Sequence, residues 1–448
     1  MGISFQQAVE YLSSLRPLGI RLGLERIQAL CEACGHPEQA FRSIHVTGTN
    51  GKGSTCTMIA KILSCSGYRT GLFVSPFVVN VRERIQIDGR FISEHQFSEL
   101  MAELIPIVED VARRVDHPTE FEVKTILGLL YFARAGVDYA VLEVGMGGRF
   151  DSTNVVTPLA TAITNVALDH TDRLGSTVEQ IAYEKAGIIK PGIPCVTGAD
   201  GGALKVIQRQ CELLNAPLLR IGKEVLLEEN PSGTFSVAVS RRYDNLTTAM
   251  MGRHQRLNAA IAVAVADLLA QHDSRITPQA VREGLATAVA PGRLEIVNSS
   301  PTVLLDGAHN PHGAQHLRQA LTTLFNYRRL ILVMGMLQGH SAPEVVGILA
   351  PLAHVFIATS PISHRSVSED ELAAAAEQLG VPVEVVSGVP KAVERALSLA
   401  EPEDLVCITG SFYTVGEARP LFVREPLPDK SLCQSQNKPT EPSKTIWE

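Results

Sequence analysis

One segment, residues 47–55 with the sequence TGTNGKGST, carries the residue types that phosphate chemistry needs. Its glycines allow backbone N–H groups to converge on phosphate oxygens, and Lys52 supplies positive charge. Ser54 offers a hydroxyl that suits Mg²⁺ at the start of a helix. The spacing differs from the common G-x-x-x-x-G-K-[ST] loop, because Gly53 separates Lys52 from Ser54. The order of strand, loop and helix favours a phosphate-binding loop over a glycine-rich turn with a surface lysine.

Polar residues also follow other predicted strands. Glu143 lies at the end of one strand, and Asp169 and His170 follow another. The segment from Asp306 to His312 follows a third strand, in a second structural unit. A carboxylate near a nucleotide loop suits Mg²⁺, although Glu143 in a salt bridge and His170 in a structural role are alternatives. Two units that present polar loops at strand ends predict an active site in the cleft between them.

The apolar pattern predicts strands and helices that alternate along the chain. Strands are predicted at residues 43–47, 70–74, 139–144, 161–166, 193–197, 302–305, 330–335, 355–358, 383–386 and 405–409. Helices are predicted at residues 55–66, 121–135, 178–189, 254–272, 278–289 and 312–324. This alternation predicts an α/β fold with a mostly parallel sheet and helices on its faces.

Turn-forming residues at 290–293 separate two units. Residues 1–291 are predicted to form a P-loop-type α/β domain, and residues 298–424 a smaller Rossmann-like α/β domain. Residues 425–448 are rich in Pro, Ser, Lys, Gln and Asn, and are predicted to form a disordered tail.

Composition narrows the class of protein. Of 448 residues, 45% are hydrophobic and 19% are charged, which is ordinary for a globular chain. With a net charge of −7, the chain lacks the overall basic character expected of a nucleic-acid binder. The start of the chain does not have the pattern of a secretory signal, and the longest apolar stretch, 259–270, is too short to span a bilayer. We therefore expect a cytoplasmic protein without nucleic-acid or membrane partners.

Several motifs occur in one order between Tyr11 and Arg419. They are GTNGKGS at 48–54, SP at 75–76, RERI at 82–85, TEFE at 119–122, LEVGMGGR at 142–149, LDHT at 168–171, EKAGI at 184–188, PGR at 291–293, DGAHNPH at 306–312 and GS at 410–411. Together they resemble the folylpolyglutamate synthase/dihydrofolate synthase family, within the Mur ligase superfamily. A set of motifs in one order is far more specific than any single motif.

This resemblance implies an amide ligase with a P-loop-type Mur ligase ATPase domain. ATP as co-substrate would phosphorylate a carboxylate of dihydropteroate or tetrahydrofolate, and the amino group of L-glutamate would displace phosphate from the acyl phosphate. Phosphorylation supplies the leaving group that a carboxylate lacks, so the chemistry is mainly positioning and charge neutralisation. The resemblance also implies two Mg²⁺ sites, with a monovalent cation as a further candidate. The protein is expected to be a monomer.

The resemblance assigns roles to particular residues. ATP would contact Thr49, Asn50, Gly51, Lys52, Gly53, Ser54, Asn258, Arg293 and Asp306. One Mg²⁺ would lie near Ser54 and Glu143, and the other near Ser75, Glu143 and His170. The catalytic residues would be Lys52, Lys185, His170 and His309, and incoming glutamate would meet His309 and Ser411. The folate-type acceptor would contact Thr119, Glu120, Phe121, Glu122, Phe150, Asp151 and Ser152.

Lys185 matches the family lysine that CO₂ converts to a carbamate, N6-carboxylysine. An ammonium group would repel the metal ions, whereas a carbamate offers them oxygen ligands. Carboxylation requires the neutral amine, so neighbouring cations should lower the pKa of Lys185. The alternative is that Lys185 contacts the phosphate directly.

Two other functions remain as alternatives. A Mur-type ligase that acts on another carboxylate is disfavoured, because residues 119–122 and 306–312 resemble the folate-specific members. A regulatory or scaffold protein that only binds ATP is disfavoured, because binding alone does not require all four of Lys52, Glu143, His170 and Lys185.

The chain departs from the family at Phe77, where many members have histidine. Phe77 follows Ser75 by two positions, so in an extended segment both side chains point to one side. We expect Phe77→His to leave ATP binding intact and to change the preference between dihydropteroate and tetrahydrofolate by about 1–2 kcal/mol, as for one polar contact. The measurement is kcat/KM for both acceptors, and an unchanged ratio would mean that position 77 does not set acceptor choice.

Overall fold

The computed structural model describes residues 2–19, 21–230 and 233–423. Within these ranges the chain forms two large sheets with helices on their faces and a small antiparallel sheet. This architecture confirms the predicted α/β class. The predicted tail at residues 425–448 lies outside the described ranges. No helix in the described ranges is long and apolar enough to cross a membrane.

The first large sheet belongs to the N-terminal part of the chain. Its strands are β1 (Arg42–Thr47), β2 (Thr70–Phe73), β3 (Ile85–Ile87), β4 (Arg90–Phe91), β5 (Tyr139–Glu143), β6 (Ala160–Ile163), β7 (Cys195–Thr197) and β8 (Leu218–Arg220). Their order across the sheet is β4-β3-β2-β5-β1-β6-β7-β8. The strands from β2 to β8 in this order run parallel, and β3 and β4 extend the edge in antiparallel fashion.

The strand order places three polar loops side by side. β1 lies between β5 and β6, and all three strands are almost entirely buried, as expected in a sheet covered on both faces. Parallel strands present their carboxyl ends at one edge. Residues 47–55 after β1, Glu143 at the end of β5 and residues 164–170 after β6 therefore meet at that edge.

The second large sheet, here the C-terminal sheet, repeats this arrangement. Its strands are β12 (Glu295–Ser299), β13 (Thr302–Leu305), β14 (Leu330–Met334), β15 (Val355–Ala358), β16 (Val383–Val385) and β17 (Leu405–Thr409). They are ordered β12-β13-β17-β14-β15-β16, and only the β12–β13 pairing in this described sheet is antiparallel. The loops after β13, β14 and β17 share one edge.

Some strands were not predicted from the sequence. Besides β3, β4, β8 and β12, these form the antiparallel sheet of β9 (Leu226–Glu229), β10 (Phe235–Ala238) and β11 (Arg242–Leu246). Most residues of β9 and β11 are exposed and polar or charged, so the apolar pattern on which the prediction depended is weak there.

The helices cover both faces of the large sheets. They are α1 (Phe5–Ser14), α2 (Glu25–Ala33), α3 (Lys52–Cys65), α4 (Glu94–Arg114), α5 (Glu120–Ala135), α6 (Thr171–Leu174), α7 (Val178–Lys185), α8 (Gly201–Leu213), α9 (Arg253–Ala270), α10 (Pro278–Thr287), α11 (Pro311–Thr323), α12 (Ala342–Leu349), α13 (Glu369–Glu377), α14 (Val389–Leu399) and α15 (Phe412–Ala418). The helix predicted over 178–189 ends earlier, and a 3₁₀ turn, Ala186–Ile188, follows it. There Gly187 passes the backbone of Arg149, where a Cβ would lie only 2.4 Å from the Arg149 Cα.

The helix that carries the phosphate-type loop is held by close backbone packing. A Cβ built on Gly284 of α10 would lie 2.6 Å from the Cα of Ile62 in α3. Backbone atoms cannot move away as a flexible side chain could. Gly284 therefore sets how closely α10 approaches α3.

We expect Gly284→Ala to lower the free energy of unfolding by about 1–3 kcal/mol, because it overpacks this contact. The matched control is Gly347→Ala in α12, where a Cβ meets nothing within 4 Å. The control should raise stability by up to about 1 kcal/mol, because alanine favours helix more than glycine does. Chemical denaturation measures both, and equal effects of the two substitutions would contradict the packing argument.

Candidate active site

The phosphate-type loop, residues 47–55, connects β1 to α3. Gly51 has a φ of +81°, and a Cβ there would lie 2.3 Å from Oδ1 of Asn258, so glycine is required at this position. Nζ of Lys52 donates to the carbonyl oxygens of Gly48 and Thr49 at 3.0 and 3.1 Å. The ammonium group is thus held against the loop, close to the N-terminus of α3.

The segment after β6 supports the loop from one side. The backbone N–H of Thr49 donates to the carbonyl of Asn165 at 2.9 Å, and the backbone N–H of Asn50 donates to the Asn165 side chain at 2.9 Å. The hydroxyl of Thr164 donates to the Asn50 carbonyl at 2.6 Å. These bonds fix the loop in one conformation, which is what a preformed phosphate site requires.

Glu143 lies beside the first turn of α3. Its side chain is buried, and one oxygen, Oε2, accepts a hydrogen bond from the backbone N–H of Ser75 at 2.8 Å. A Cβ at Gly53 would lie 3.3 Å from the same oxygen. Burial raises the pKa of Glu143, and the positive charge of Lys52 acts in the opposite direction. The carboxylate of Glu143, with the hydroxyls of Ser54 and Ser75, supplies the oxygen donors that Mg²⁺ prefers.

Lys185 also contacts the phosphate-type loop. Its side chain is buried at the end of α7, and Nζ donates to the carbonyl of Gly48 at 2.8 Å. Burial, followed by the charge of Lys52, lowers the pKa of Lys185 to about 7, while the charge of Asp169 opposes this. The Lys185 amine is therefore neutral in a large fraction of the molecules near pH 7.

A cluster of polar side chains joins the two large sheets across the cleft. The side-chain amides of Asn50 and Asn310 bond to each other at 3.1 and 3.2 Å. Nδ2 of Asn310 also donates to Asp169 at 3.2 Å, and Nδ1 of His340 lies 3.2 Å from the same carboxylate. Burial acts to raise the pKa of Asp169, but the bond to His340 and the neighbouring histidines lower it overall.

Three histidine rings meet at this cluster. The ring of His340 lies 4.8 Å from that of His309 and 5.2 Å from that of His170, measured between centroids. Potential ligand atoms of Asp169, His309 and His340 all lie within 4.8 Å of one another. Burial, followed by the charge of His340, lowers the pKa of His309 to about 4, so this imidazole is neutral near pH 7.

A cavity of about 420 Å³ opens between the two sheets. The predicted site residues that line it are Thr49, Asn50, Gly51, Lys52, Ser75, Thr119, Glu120, Phe121, Glu122, Glu143, Phe150, Asp151, Ser152, His170, Arg293 and His309. The residues predicted for the phosphate groups and those predicted for the acceptor thus face one space.

The predicted acceptor carboxylates are already engaged within the protein. Glu122 accepts from Nε of Arg26 at 3.1 Å and from the backbone N–H of Thr119 at 2.7 Å, which caps α5. Asp151 accepts from the backbone N–H groups of Met146 and Thr153, each at 3.0 Å. These two carboxylates therefore shape the cavity wall, and the aromatic side chains offer the surfaces for a flat ring.

A second, smaller cavity of about 50 Å³ lies on the other side of the loop. The predicted residues Asn50, Gly51, Ser54, Asn258, Arg293, Asp306 and His309 line it. Asp306 is buried and accepts from the backbone N–H groups of Leu294 and Ala308 at 3.0 and 2.9 Å. Burial raises the pKa of Asp306. Asn258, Arg293 and Asp306, which are predicted to contact ATP, therefore lie together beside the loop.

Ser411 is placed differently from the other predicted residues. Its hydroxyl accepts from the backbone N–H of Thr414 at 3.0 Å and pairs with the Thr414 hydroxyl at 2.8 Å, so it caps α15. Among the described residues, Ser411 does not line either cavity, whereas its neighbour Phe412 lines the larger one. A direct contact of Ser411 with glutamate stays a prediction.

Sequence reasoning missed several groups in the cleft. Asn310 and His340 connect the two sheets, and Arg84 lines the larger cavity. Asn310 lies in the segment 306–312, which the sequence placed at the cleft without giving Asn310 a role. His340 follows β14, and that position could have revealed it. Arg84 belongs to the RERI motif, but no role for it could be derived from the sequence.

The chain is similar to known ligases over most of its length. Residues 46–266 match the family described as Mur ligase middle domain, and residues 292–412 match the Mur ligase, glutamate ligase domain. The chain is 37% identical to the dihydrofolate synthase/folylpolyglutamate synthase of Bacillus subtilis (strain 168), over 94% of this chain and 99% of that protein.

Solved structures of folylpolyglutamate synthases are also similar to this chain over most of its length. The folylpolyglutamate synthase of Mycobacterium tuberculosis complexed with ADP superposes with a TM-score of 0.87 at 33% identity, and covers 94% of this chain and 99% of that one. E. coli FolC in complex with DHPP and ADP superposes with a TM-score of 0.85 at 30% identity, over 94% and 97% of the two chains.

Proposed function

The chain belongs to the folylpolyglutamate synthase/dihydrofolate synthase family of ATP-dependent glutamate ligases, and we propose that its cleft joins L-glutamate to a folate-type acceptor through an acyl phosphate. Dihydropteroate, tetrahydrofolate or both serve as the acceptor. The domain boundaries of 1–291 and 298–424, the monomeric state and the cytoplasmic location remain predictions.

The first half-reaction is the transfer of the γ-phosphoryl group of ATP to the acceptor carboxylate. The loop backbone and Lys52 bind the triphosphate, and Arg293, Asn258 and Asp306 hold the rest of the nucleotide. A carboxylate oxygen attacks phosphorus, and ADP leaves. Since little covalent chemistry falls to the protein, positioning in a water-excluded cleft carries most of the rate enhancement.

The second half-reaction is aminolysis. The amino group of glutamate attacks the acyl carbon, and phosphate leaves with the electrons of the cleaved C–O bond. His309 lines the cavity and is neutral near pH 7, so we assign it the proton that the amine loses, although burial lowers its pKa and weakens it as a base. Asp169 and His340 hold the neighbouring wall of the cleft in place.

The donor groups of the cleft fit magnesium. Ser54, Ser75 and Glu143 offer oxygens, and His170 completes the proposed set with a nitrogen. Magnesium bound there would neutralise the charge of the transferring phosphoryl group. The two predicted Mg²⁺ sites are part of this proposal, and a monovalent cation remains a further candidate.

Lys185 is proposed to react with CO₂. The neutral amine forms an N–C bond and releases a proton, which leaves a carbamate anion. Its lowered pKa favours this reaction near neutral pH. Direct contact between Lys185 and a phosphate is the alternative.

One observation carries the proposal: the phosphate loop, Glu143 and the predicted acceptor residues face the same cavity. The test is release of ADP with dihydropteroate or tetrahydrofolate, each with and without L-glutamate. We expect sustained ADP release only when an acceptor and glutamate are both present. No release with either folate-type acceptor, but release when another carboxylate acceptor is supplied, would instead favour a Mur-type ligase. No release with any acceptor would favour a protein that only binds ATP.

Lys52→Ala should reduce ligation at least about 100-fold, because one preorganised donor to the transferring phosphoryl group is lost. Lys61→Ala, on the same helix, is the matched control and should keep most of the activity. The measurements are kcat for ADP release and the melting temperature. If Lys52→Ala kept near wild-type turnover with a normal melting curve, the role of the phosphate loop would be wrong.

Lys185→Ala should lose activity, and short carboxylic acids should restore part of it by occupying the space of the carbamate. In the wild type, ¹³C NMR with ¹³CO₂ should show a carbamate signal that grows as pH rises through about 7, where the amine becomes neutral. The sign follows because only the deprotonated amine reacts with CO₂. Full activity of the variant, with no carbamate in CO₂-saturated buffer, would refute this role.

A further inference from the structure

The RERI motif at residues 82–85 places its three charged side chains in three different environments. Glu83 accepts hydrogen bonds from the backbone N–H groups of Val78, Val79 and Asn80 at 2.7–2.8 Å, and so fixes the preceding loop. Nη2 of Arg82 lies 3.7 Å from Glu94, on the side of α4. Arg84 points instead to the larger cavity of the cleft.

The guanidinium group of Arg84 lacks a full set of hydrogen-bond partners among the described residues. Its Nε and Nη1 atoms are buried and have no hydrogen-bond acceptor in the described part of the chain. Its central carbon lies 5.5 Å from the ring of Phe77 and 5.8 Å from that of Phe121. Two aromatic faces hold the plane of the cation, but they cannot accept its N–H bonds in the way an oxygen anion does.

Such an arrangement is costly unless an anion arrives. A buried cation with unsatisfied donors is destabilising, and a bidentate carboxylate is the partner that a guanidinium fork matches best. Burial lowers the pKa of Arg84, and the charges of Glu120 and Glu143 oppose this. Glu120 is bonded to Lys124 at 2.6 Å, and Glu143 accepts from the backbone of Ser75. Neither carboxylate makes a hydrogen bond to the guanidinium.

We propose that Arg84 forms the anion subsite of the acceptor pocket, where its guanidinium group binds the acceptor carboxylate that becomes phosphorylated. Arg84 shares its cavity with Phe121, which offers a flat surface to the acceptor ring, and with Lys52 and Glu143 of the phosphate site. The subsite therefore lies in the same space as the group that donates the phosphoryl and the group that recognises the ring. This inference rests on the proposed function and adds a residue and an anion contact to it.

This subsite offers a physical reason for phenylalanine at position 77, where many family members have histidine. Phe77 keeps an uncharged ring against the Arg84 guanidinium, so the cation retains its donors for the ligand. A histidine at position 77 could accept one of those hydrogen bonds and compete with the acceptor carboxylate.

The experiment compares a charged and a neutral acceptor on the full-length protein with saturating ATP, Mg²⁺ and glutamate. Dihydropteroate serves as the substrate, and its carboxamide, which lacks the negative charge, serves as a competitive inhibitor. Arg84→Met should raise KM for dihydropteroate about 10- to 100-fold, as expected for lost charged hydrogen bonds. The inhibition constant of the carboxamide should change less than about threefold, because ring contacts remain. KM for ATP should also stay close to the wild-type value.

The control is Arg82→Met, which removes the same charge two residues away and should leave both constants near wild type. Arg84→Lys keeps the charge and loses the fork, so it should raise KM for dihydropteroate less than Arg84→Met does. It also provides the measurement if the methionine variant does not fold, as judged by its melting curve. Equal weakening of acid and carboxamide would make Arg84 a residue that only shapes the pocket, and no change in either would equally overturn the proposal. The proposed function is tested separately, by ligation with the wild-type protein. A failure of the Arg84 proposal is therefore distinguishable from a failure of the proposed function.

Discussion

One carbonyl oxygen, that of Gly48, accepts hydrogen bonds from two lysine ammonium groups, Lys52 and Lys185. Both lysines depend on this contact for their positions at the loop, and their mutual repulsion in a buried place helps to lower the pKa of Lys185. A lysine side chain that is neutral in part of the molecules is unusual beside a predicted phosphate site. It makes chemical sense if Lys185 is converted to an anion, because the carbamate would then balance the charge of Lys52 and of bound metal.

The strand order makes this contact available. β1 lies between β5 and β6, so the loop, Glu143 and the segment after β6 converge without long connections. The C-terminal sheet then completes the cleft through the paired amides of Asn50 and Asn310 and through the bond between His340 and Asp169. Because Asn50 belongs to the predicted phosphate loop itself, this pair of amides ties the loop directly to the C-terminal sheet.

In the proposed function, recognition of the acceptor is divided between shape and charge. The acidic residues Glu122 and Asp151 are committed to Arg26 and to backbone N–H groups, so they build the wall and do not stand ready as ligands. The aromatic side chains and the unsatisfied cation of Arg84 are the groups that remain open to a ligand. A flat ring attached to a carboxylate is complementary to that combination.

The sequence alone determined the parts that act locally. A glycine-rich loop between a strand and a helix, buried apolar strands and polar residues at strand ends have signatures of a few residues, and these predicted the α/β class, the phosphate loop and the cleft. The exposed strands β9 and β11 were not predicted, because their side chains show little apolar periodicity. Only the tertiary structure decided that Glu122 is paired with Arg26 and that Ser411 caps a helix. It also decided that Arg84 faces the cavity with two N–H donors that no described residue accepts. Each of these depends on which distant or neighbouring groups satisfy a hydrogen bond, and that depends on the packing of elements far apart in the chain.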